Sequence, residues 1–359
     1  MGRLQLTATA ARRHRIHSPG VASRRLVTAQ HSEARYLGDS LPHRPVTAGP
    51  IAVEPMQSDA FVKAVADGGG DVQPLGPDTR GVVWLSEKRA DELQDLLDKH
   101  PGVEWVQLPW AGVDAFSEVL AGLATRAEAQ RPVVTSAKGA YSEPVAEHAL
   151  ALVLAGLREF PEKARAAAWK SERTGLSLFG RHILLFGAGG VAKAFIDLVQ
   201  PFAPELSVVR RDPSHAVDGA ARTLGPEDWQ ALLPGVDVVV LAAAHTAQTE
   251  ALFGAGEFSS LPPHAVFVNV ARGALVDTDA LSRALETGEI KAAGLDVTEP
   301  EPLPDNHRLF SIPSCLITSH SADTPEMTKP LLAERVRFNV EAFNGGTPLR
   351  GVVSVEQGY

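Results

Sequence analysis

Three side chains stand where chemistry is possible. Arg272 closes the run Asn269-Val270-Ala271-Arg272-Gly273, Glu301 sits in Asp296-Val297-Thr298-Glu299-Pro300-Glu301-Pro302-Leu303, and His320 follows Leu316-Ile317-Thr318-Ser319. An imidazole, with an ordinary pKa near ~6.5, gives and takes protons at neutral pH. A carboxylate beside it orients the ring and stabilises its protonated form. A guanidinium is a planar fork that binds a carboxylate and polarises a neighbouring carbonyl. Together the three suit the removal or addition of a hydride at a carbinol carbon, with the proton of its oxygen moving too. Singly, each reads as readily as structure: a turn residue, a solvated residue in a proline-rich loop, a strand-end histidine among 12 histidines. Their shared position just past strands gives them weight, because the carboxyl ends of a parallel sheet line one edge and that edge holds the ligand crevice.

A second pattern supplies a partner for such chemistry. His182-Ile183-Leu184-Leu185-Phe186 reads as a strand running into Gly187-Ala188-Gly189-Gly190-Val191-Ala192, a GxGxxA turn that opens a helix. Gly187 permits the tight turn, Gly189 lets the backbone approach a pyrophosphate, and Ala192 lets the helix pack against the strand. The helix start at Gly190 and Val191 presents free N–H groups and a positive dipole end to phosphates. Strand, turn and helix in one βαβ unit are the context that separates a dinucleotide site from a plain glycine turn. The next strand ends in Arg210-Arg211-Asp212, with Asp212 lying 20 residues past Ala192. An Asp there bonds the adenosine ribose of NAD, whereas arginines hold the 2′-phosphate of NADP. The two arginines tip the reading toward NADP over NAD; the alternative is that both are simply solvated.

These residues need elements that bring them together. Strands are expected at 51–54, 81–85, 103–108 and 133–135, with helices at 59–66, 90–99 and 116–123 between them. A helix over 142–158 has a middle that is apolar on every side and so belongs between layers, at a crossing between two domains. A second series follows, with strands at 182–186, 206–210, 236–241, 266–269, 292–297 and 315–318 and helices at 191–199, 226–233, 255–260 and 278–287. That order predicts an α/β fold in which six strands build a doubly wound parallel sheet. The last helix, at 325–343, and the tail 352–355 return to the first domain. The expected organisation is therefore residues 48–145 plus 322–359 as one domain and 146–321 as the dinucleotide-binding domain.

Composition narrows the function classes. The chain has 359 residues, 44% hydrophobic and 21% charged, with a net charge of −9. That is a globular balance, and an acidic chain is a poor nucleic-acid binder. One cysteine, Cys315, excludes an intrachain disulfide and a thiolate metal cluster. No apolar run approaches the ~20 residues of a membrane span, so no membrane partner is expected. Residues 1–47 differ, with eight arginines against two acidic residues and no apolar period. They read as a disordered basic leader or as an organelle transit peptide. A cytoplasmic location is expected, with import through the leader as the alternative.

These motifs carry a family likeness. From about residue 51 to 359 the chain resembles the D-isomer-specific 2-hydroxyacid dehydrogenases, through Trp110-Ala111-Gly112-Val113-Asp114, Val145-Ala146-Glu147-His148, the GxGxxA turn, Asn269-Val270-Ala271-Arg272-Gly273, Gly294-Leu295-Asp296-Val297, Glu301-Pro302-Leu303 and Thr318-Ser319-His320. The resemblance implies a Rossmann-type domain inserted in a flavodoxin-like substrate domain, a cleft that closes on binding, and a homodimer. It implies that Arg272, Glu301 and His320 are the catalytic set and that the amides of Ala111 and Gly112 hold the substrate carboxylate beside Arg272. Asp296 would meet the nicotinamide carboxamide; Ser142, where the family often has Thr, would lie near that ring; Ala271 would join the cofactor contacts. The implied activity interconverts a small 2-oxo acid and a D-2-hydroxy acid, of the glyoxylate or hydroxypyruvate class, with NAD(P)H. An NAD(P)-sensing corepressor of the same fold is the alternative, since such proteins keep the triad. Two departures touch loops: Ser319 stands where the family has Pro, and Ala244-His245-Thr246 where it often has Pro-Leu-Thr.

Overall fold

Short runs of Val, Ile and Leu bounded by turns form two parallel sheets in the computed structural model, which describes residues 43–169 and 171–356. The first series is β1 (Ile51–Glu54), α1 (Asp59–Asp67), β2 (Gly81–Trp84), α2 (Ala90–Lys99), β3 (Trp105–Gln107), α3 (Ser117–Ala124) and β4 (Val133–Thr135), with the strands in the order β1-β2-β3-β4. Val72 adds a one-residue parallel bridge to Ile51 on the free side of β1, and Val352 an antiparallel bridge to Thr135 of β4. With Val72 counted, the parallel order is the flavodoxin-like 2-1-3-4-5.

Next comes α4 (Ser142–Leu157), then the short α5 (Phe160–Ala164). The buried residues of α4 include Ala146, Ala149, Leu152, Val153, Gly156 and Leu157. The helix lies flat on the second sheet because two glycines make room for it. A Cβ on Gly156 would sit 2.6 Å from Val266, and one on Gly294 would sit 2.8 Å from Leu152. Packing at organic-crystal density leaves no slack for either methyl.

The second series is β5 (His182–Phe186), α6 (Gly190–Val199), β6 (Glu205–Val209), β7 (Arg222–Leu224), β8 (Val238–Leu241), α7 (Ala255–Ser260), β9 (Val266–Asn269), α8 (Thr278–Thr287), β10 (Ala292–Leu295) and β11 (Cys315–Ile317). Its strands run β11-β10-β9-β8-β5-β6-β7, all parallel. The order in which the chain adds strands reverses between β5 and β8, and the carboxyl ends at that switch point open the ligand crevice. The sheet has seven strands where six are expected. The extra one, β7, is a partly exposed edge of sequence Arg-Thr-Leu with no apolar signature. The helix expected at 226–233 is also corrected, to a 3-10 turn at Gln230–Gly235. Pro234 removes an amide that an α-helix would use. Trp229 is drawn into the core, stacked on Phe253 at 5.4 Å.

The final helix, α9 (Pro325–Gly345), returns to the first sheet and packs on α1 through Leu332, Val336, Val340 and Phe343. Arg335 on the same helix is buried, and its Nη1 donates to the carbonyls of Ser136 and Lys138, both at 3.0 Å. Beyond α9 the tail runs beside β4, with Val353 N donating to Val134 O at 2.9 Å. Residues 43–47 fall within the segment that composition marks as leader, yet they are held on this unit. Arg44 Nη1 donates to Glu104 Oε2 at 2.6 Å, and Leu349 N to His43 Nε2 at 3.0 Å. Residues 1–42 lie outside the described residues. Among the described residues no helix is long and apolar enough to cross a membrane.

Candidate active site

The turn after β5 has the shape a pyrophosphate requires. Gly187 has φ +109, and any side chain on it would overlap the Ala242 carbonyl. A Cβ on Gly189 would meet nothing within 4 Å, so the backbone there is open to the crevice. Gly189 caps α6, whose first amides, from Gly190 and Val191 onward, have no carbonyl partner within the helix. Ala192 is fully buried against β5. The residues present therefore fit the phosphates of a dinucleotide. Gly187→Val is expected to lower the melting temperature by several degrees, from a cost of at least about 2 kcal/mol for a strained φ with overlap. A melting curve like wild type would contradict this placement of the turn.

Past β6, Asp212 is exposed and turned back on its own loop. Its Oδ1 accepts from Ser214 N at 2.9 Å, and bonds from the Ser214 hydroxyl and amide hold its carboxyl below the usual range. Arg210 is half-buried and Arg211 exposed at the same strand end.

Arg272 is delivered by a turn that one side chain clamps from inside. Asn269, buried at the end of β9, accepts from Ala271 N at 2.9 Å and donates to Arg272 O at 2.8 Å. Gly273 follows because a Cβ there would collide with the Thr298 carbonyl. The guanidinium crosses to the first unit, where its Nη2 and Nε reach Asp114 Oδ2 at 3.0 and 3.3 Å. It lies so close to Gly112 that a Cβ at that position would overlap Nη2. Ala111 is exposed beside it. Trp110 packs edge-on against Tyr141 at 6.0 Å, and Ala137 N donates to Trp110 O at 2.9 Å, so the loop is fixed from behind.

His320 and Glu301 meet across the end of β11, with Nδ1 to Oε1 at 2.6 Å. Ser319 and His320 both adopt left-handed φ, +50 and +53. Proline, locked near φ −65°, is excluded from such a position; the Ser that departs from the family pattern is compatible with this backbone. The turn hangs from Asp296. Its carbonyl accepts from His320 N at 2.6 Å, and its buried carboxylate accepts from Thr318 Oγ1 at 2.6 Å, Ser321 N at 2.9 Å and Ala322 N at 3.2 Å. A carboxylate has about four acceptor sites, so one stays open. Ser142 starts α4 and donates to Gly139 O at 2.9 Å.

Arg272 and His320 share one more neighbour. Burial pushes the Asp323 carboxyl up, while the charges of His320 and Arg272 pull it down and Asp296 pushes it up. That places Asp323 within electrostatic reach of both groups. The sequence offers no signal for it except its position three residues after His320. Nor do spacing rules announce the Asp114–Arg272 pair or the contact of His148 with Thr318, although Asp114 and His148 sit inside quoted motifs.

Residues 148–322 match the family described as "D-isomer specific 2-hydroxyacid dehydrogenase, NAD binding domain". A glyoxylate/hydroxypyruvate reductase B of Citrobacter koseri is 31% identical over 70% of this chain and 78% of its own length. The chain belongs to the D-isomer specific 2-hydroxyacid dehydrogenase family. It is an NAD(P)-dependent oxidoreductase, and the corepressor alternative finds no support among these relatives. This dehydrogenase is also 30% identical to an uncharacterized protein of Corynebacterium melassecola, over 82% of the chain and 95% of that protein. Its fold matches a solved D-isomer specific 2-hydroxyacid dehydrogenase from Xanthobacter autotrophicus, with a TM-score of 0.72, 25% identity, and coverage of 87% of this chain and 100% of that one.

Proposed function

We propose that this dehydrogenase reduces small 2-oxo acids of the glyoxylate or hydroxypyruvate class with NADPH, and that Arg272, Glu301 and His320 carry the reaction. The observation that carries this reading is the 2.6 Å His320–Glu301 pair past the end of β11, with His320 and the guanidinium that projects over Gly112 both within electrostatic reach of Asp323. The substrate class draws on the activity named for the Citrobacter koseri relative, and the cofactor preference on the NADPH held by the Xanthobacter autotrophicus structure.

In this reading Arg272 binds the substrate carboxylate on the edge where Asp114 now supplies one, assisted by the amides of Ala111 and Gly112. Glu301 takes the Nδ1 side of His320, which leaves Nε2 facing the substrate oxygen. When bound, the reduced nicotinamide supplies the hydride to the carbonyl carbon. His320 gives its proton to the oxygen as that oxygen gains charge, so the carbonyl ends as an alcohol and the imidazole as its neutral form. The positive guanidinium next to the carbonyl favours the same movement of charge. Ser142, Ala271 and the remaining acceptor of Asp296 serve the nicotinamide end, and the 187–191 turn the phosphates. Two units, 48–145 with 322–359 and 146–321, would close on the substrate. A homodimer belongs to this reading, supported by the exposed aromatics Phe160, Trp169 and Phe179 on the stretch around and after α5.

The test is the consumption of NADPH and NADH with glyoxylate, hydroxypyruvate and phenylpyruvate. Turnover with the first two, faster with NADPH, is expected. Tight cofactor binding without turnover of any 2-oxo acid would reject the reading. Asp212 accepts from the Ser214 amide at 2.9 Å, and Arg210 and Arg211 stand at the same strand end, where this reading puts a 2′-phosphate. Arg211→Ala is therefore expected to raise the KM for NADPH on the order of tenfold, the loss of about one charge-assisted bond, and to spare NADH. Equal effects on the two cofactors would show that the 2′-phosphate binds elsewhere.

A further inference from the structure

The imidazole of His148 lies outside the catalytic set yet reaches the same turn. It projects from α4, half-buried, with Nε2 2.9 Å from Thr318 Oγ1 and 3.5 Å from Asp296 Oδ1. Thr318 has one hydroxyl proton, and the 2.6 Å contact to Asp296 takes it. The hydroxyl oxygen then accepts, so Nε2 of His148 carries the hydrogen and donates. The chain of bonds runs from α4 through Thr318 and Asp296 to the amides of His320, Ser321 and Ala322.

That chain holds something that would not hold itself. Two successive non-glycine residues with left-handed φ cost roughly 1–2 kcal/mol each, and such strain persists only where surroundings over-determine it. Neither residue is a glycine, so bonds from outside the turn must hold it. The buried Asp296 carboxylate also needs polar neighbours, and His148 Nε2, 3.5 Å from its Oδ1, is one of them. We infer that His148 is a positioning residue, which through Thr318 and Asp296 clamps the left-handed turn that aims His320 and so ties α4 to the reacting imidazole. This rests on the reading of His320 as the proton donor.

Three variants, assayed in the full chain with a saturating reduced cofactor, test it. His148→Leu removes the donor, Thr318→Val breaks the link at nearly constant volume, and His148→Gln keeps an N–H near the Nε2 position. A displacement of about 1 Å at a reacting group costs on the order of 10²-fold, so His148→Leu and Thr318→Val are expected to lower kcat about 10- to 100-fold. The KM for the 2-oxo acid and the cofactor affinity should stay near wild type, since Arg272 and the 187–191 turn are untouched. His148→Gln is expected to recover most of kcat. Wild-type kcat in Thr318→Val, or a His148→Gln as slow as His148→Leu, would overturn the inference, as would losses that track melting temperature alone. His320→Gln, run alongside, separates the two levels: if it stays active, the underlying reading has failed; if it is dead while Thr318→Val is fast, only the clamp has.

Discussion

His320→Gln is expected to lose about 10²- to 10⁴-fold in kcat, the range that positioned proton transfer contributes. Glutamine fills similar space and keeps a hydrogen-bonding group, so the turn and the Glu301 contact have no reason to collapse. NADPH affinity, read from the quenching of protein fluorescence, should therefore match wild type, because the turn proposed for the cofactor's phosphates, 187–191, follows β5, across the switch point from β11. The loss belongs to the chemical step alone. If kcat fell by less than tenfold, the proton would have to come from elsewhere, and Asp323, whose carboxyl burial pushes up toward protonation, would be the first group to test. If cofactor affinity fell in parallel, the residue would be structural.

The second large effect concerns the guanidinium. In the proposed reading Arg272→Ala removes two charge-assisted bonds to the substrate carboxylate, worth about 3–4 kcal/mol together, or on the order of 10²- to 10³-fold in kcat/KM. Arg272→Lys is expected to recover little of this, since an ammonium cannot match a fork that binds through two edges. Gly112→Ala gives the same answer by another route. Its methyl would occupy the space of Nη2, and Nη2 is the free end of a long side chain. The chain yields by swinging the guanidinium away, so the melting point should hold while the KM for the 2-oxo acid rises. A Gly112→Ala protein that melts early with an unchanged KM would show that the glycine serves the loop rather than the arginine.

Much of this was legible in the chain itself, for identifiable reasons. Gly187, Gly189 and Ala192 announce themselves because few residues tolerate a φ of +109 or a helix packed this tightly on a strand. Arg272, Glu301 and His320 are visible because parallel topology forces strand ends to one edge. The elements that escaped are those made by context. Val72 joins the first sheet with a single residue, too short for any period to show. β7 forms because β6 offers it a free edge, and its own side chains give no alternation. Residues 226–233 look helical until Trp229 is claimed by Phe186 and Phe253. The support of the site was hidden in the same way. Asp296 reads as a cofactor contact by resemblance, yet its carboxylate accepts three bonds from Thr318, Ser321 and Ala322, and His148 stands out only as part of a motif shared with the family. Such roles depend on which groups meet in the fold, 22 residues apart for Asp296 and Thr318 and 170 apart for His148 and Thr318, and spacing carries no record of that.

The most direct test follows an atom. With NADPH carrying deuterium on the transferable position at C4 of the nicotinamide, glyoxylate and the purified protein, the label should appear on the carbon next to the carboxylate of the glycolate formed, with hydroxypyruvate giving the D-configured product. Reduced product without deuterium at that carbon, or an L-configured alcohol, would contradict hydride delivery to a 2-oxo acid held by Arg272 and protonated by His320.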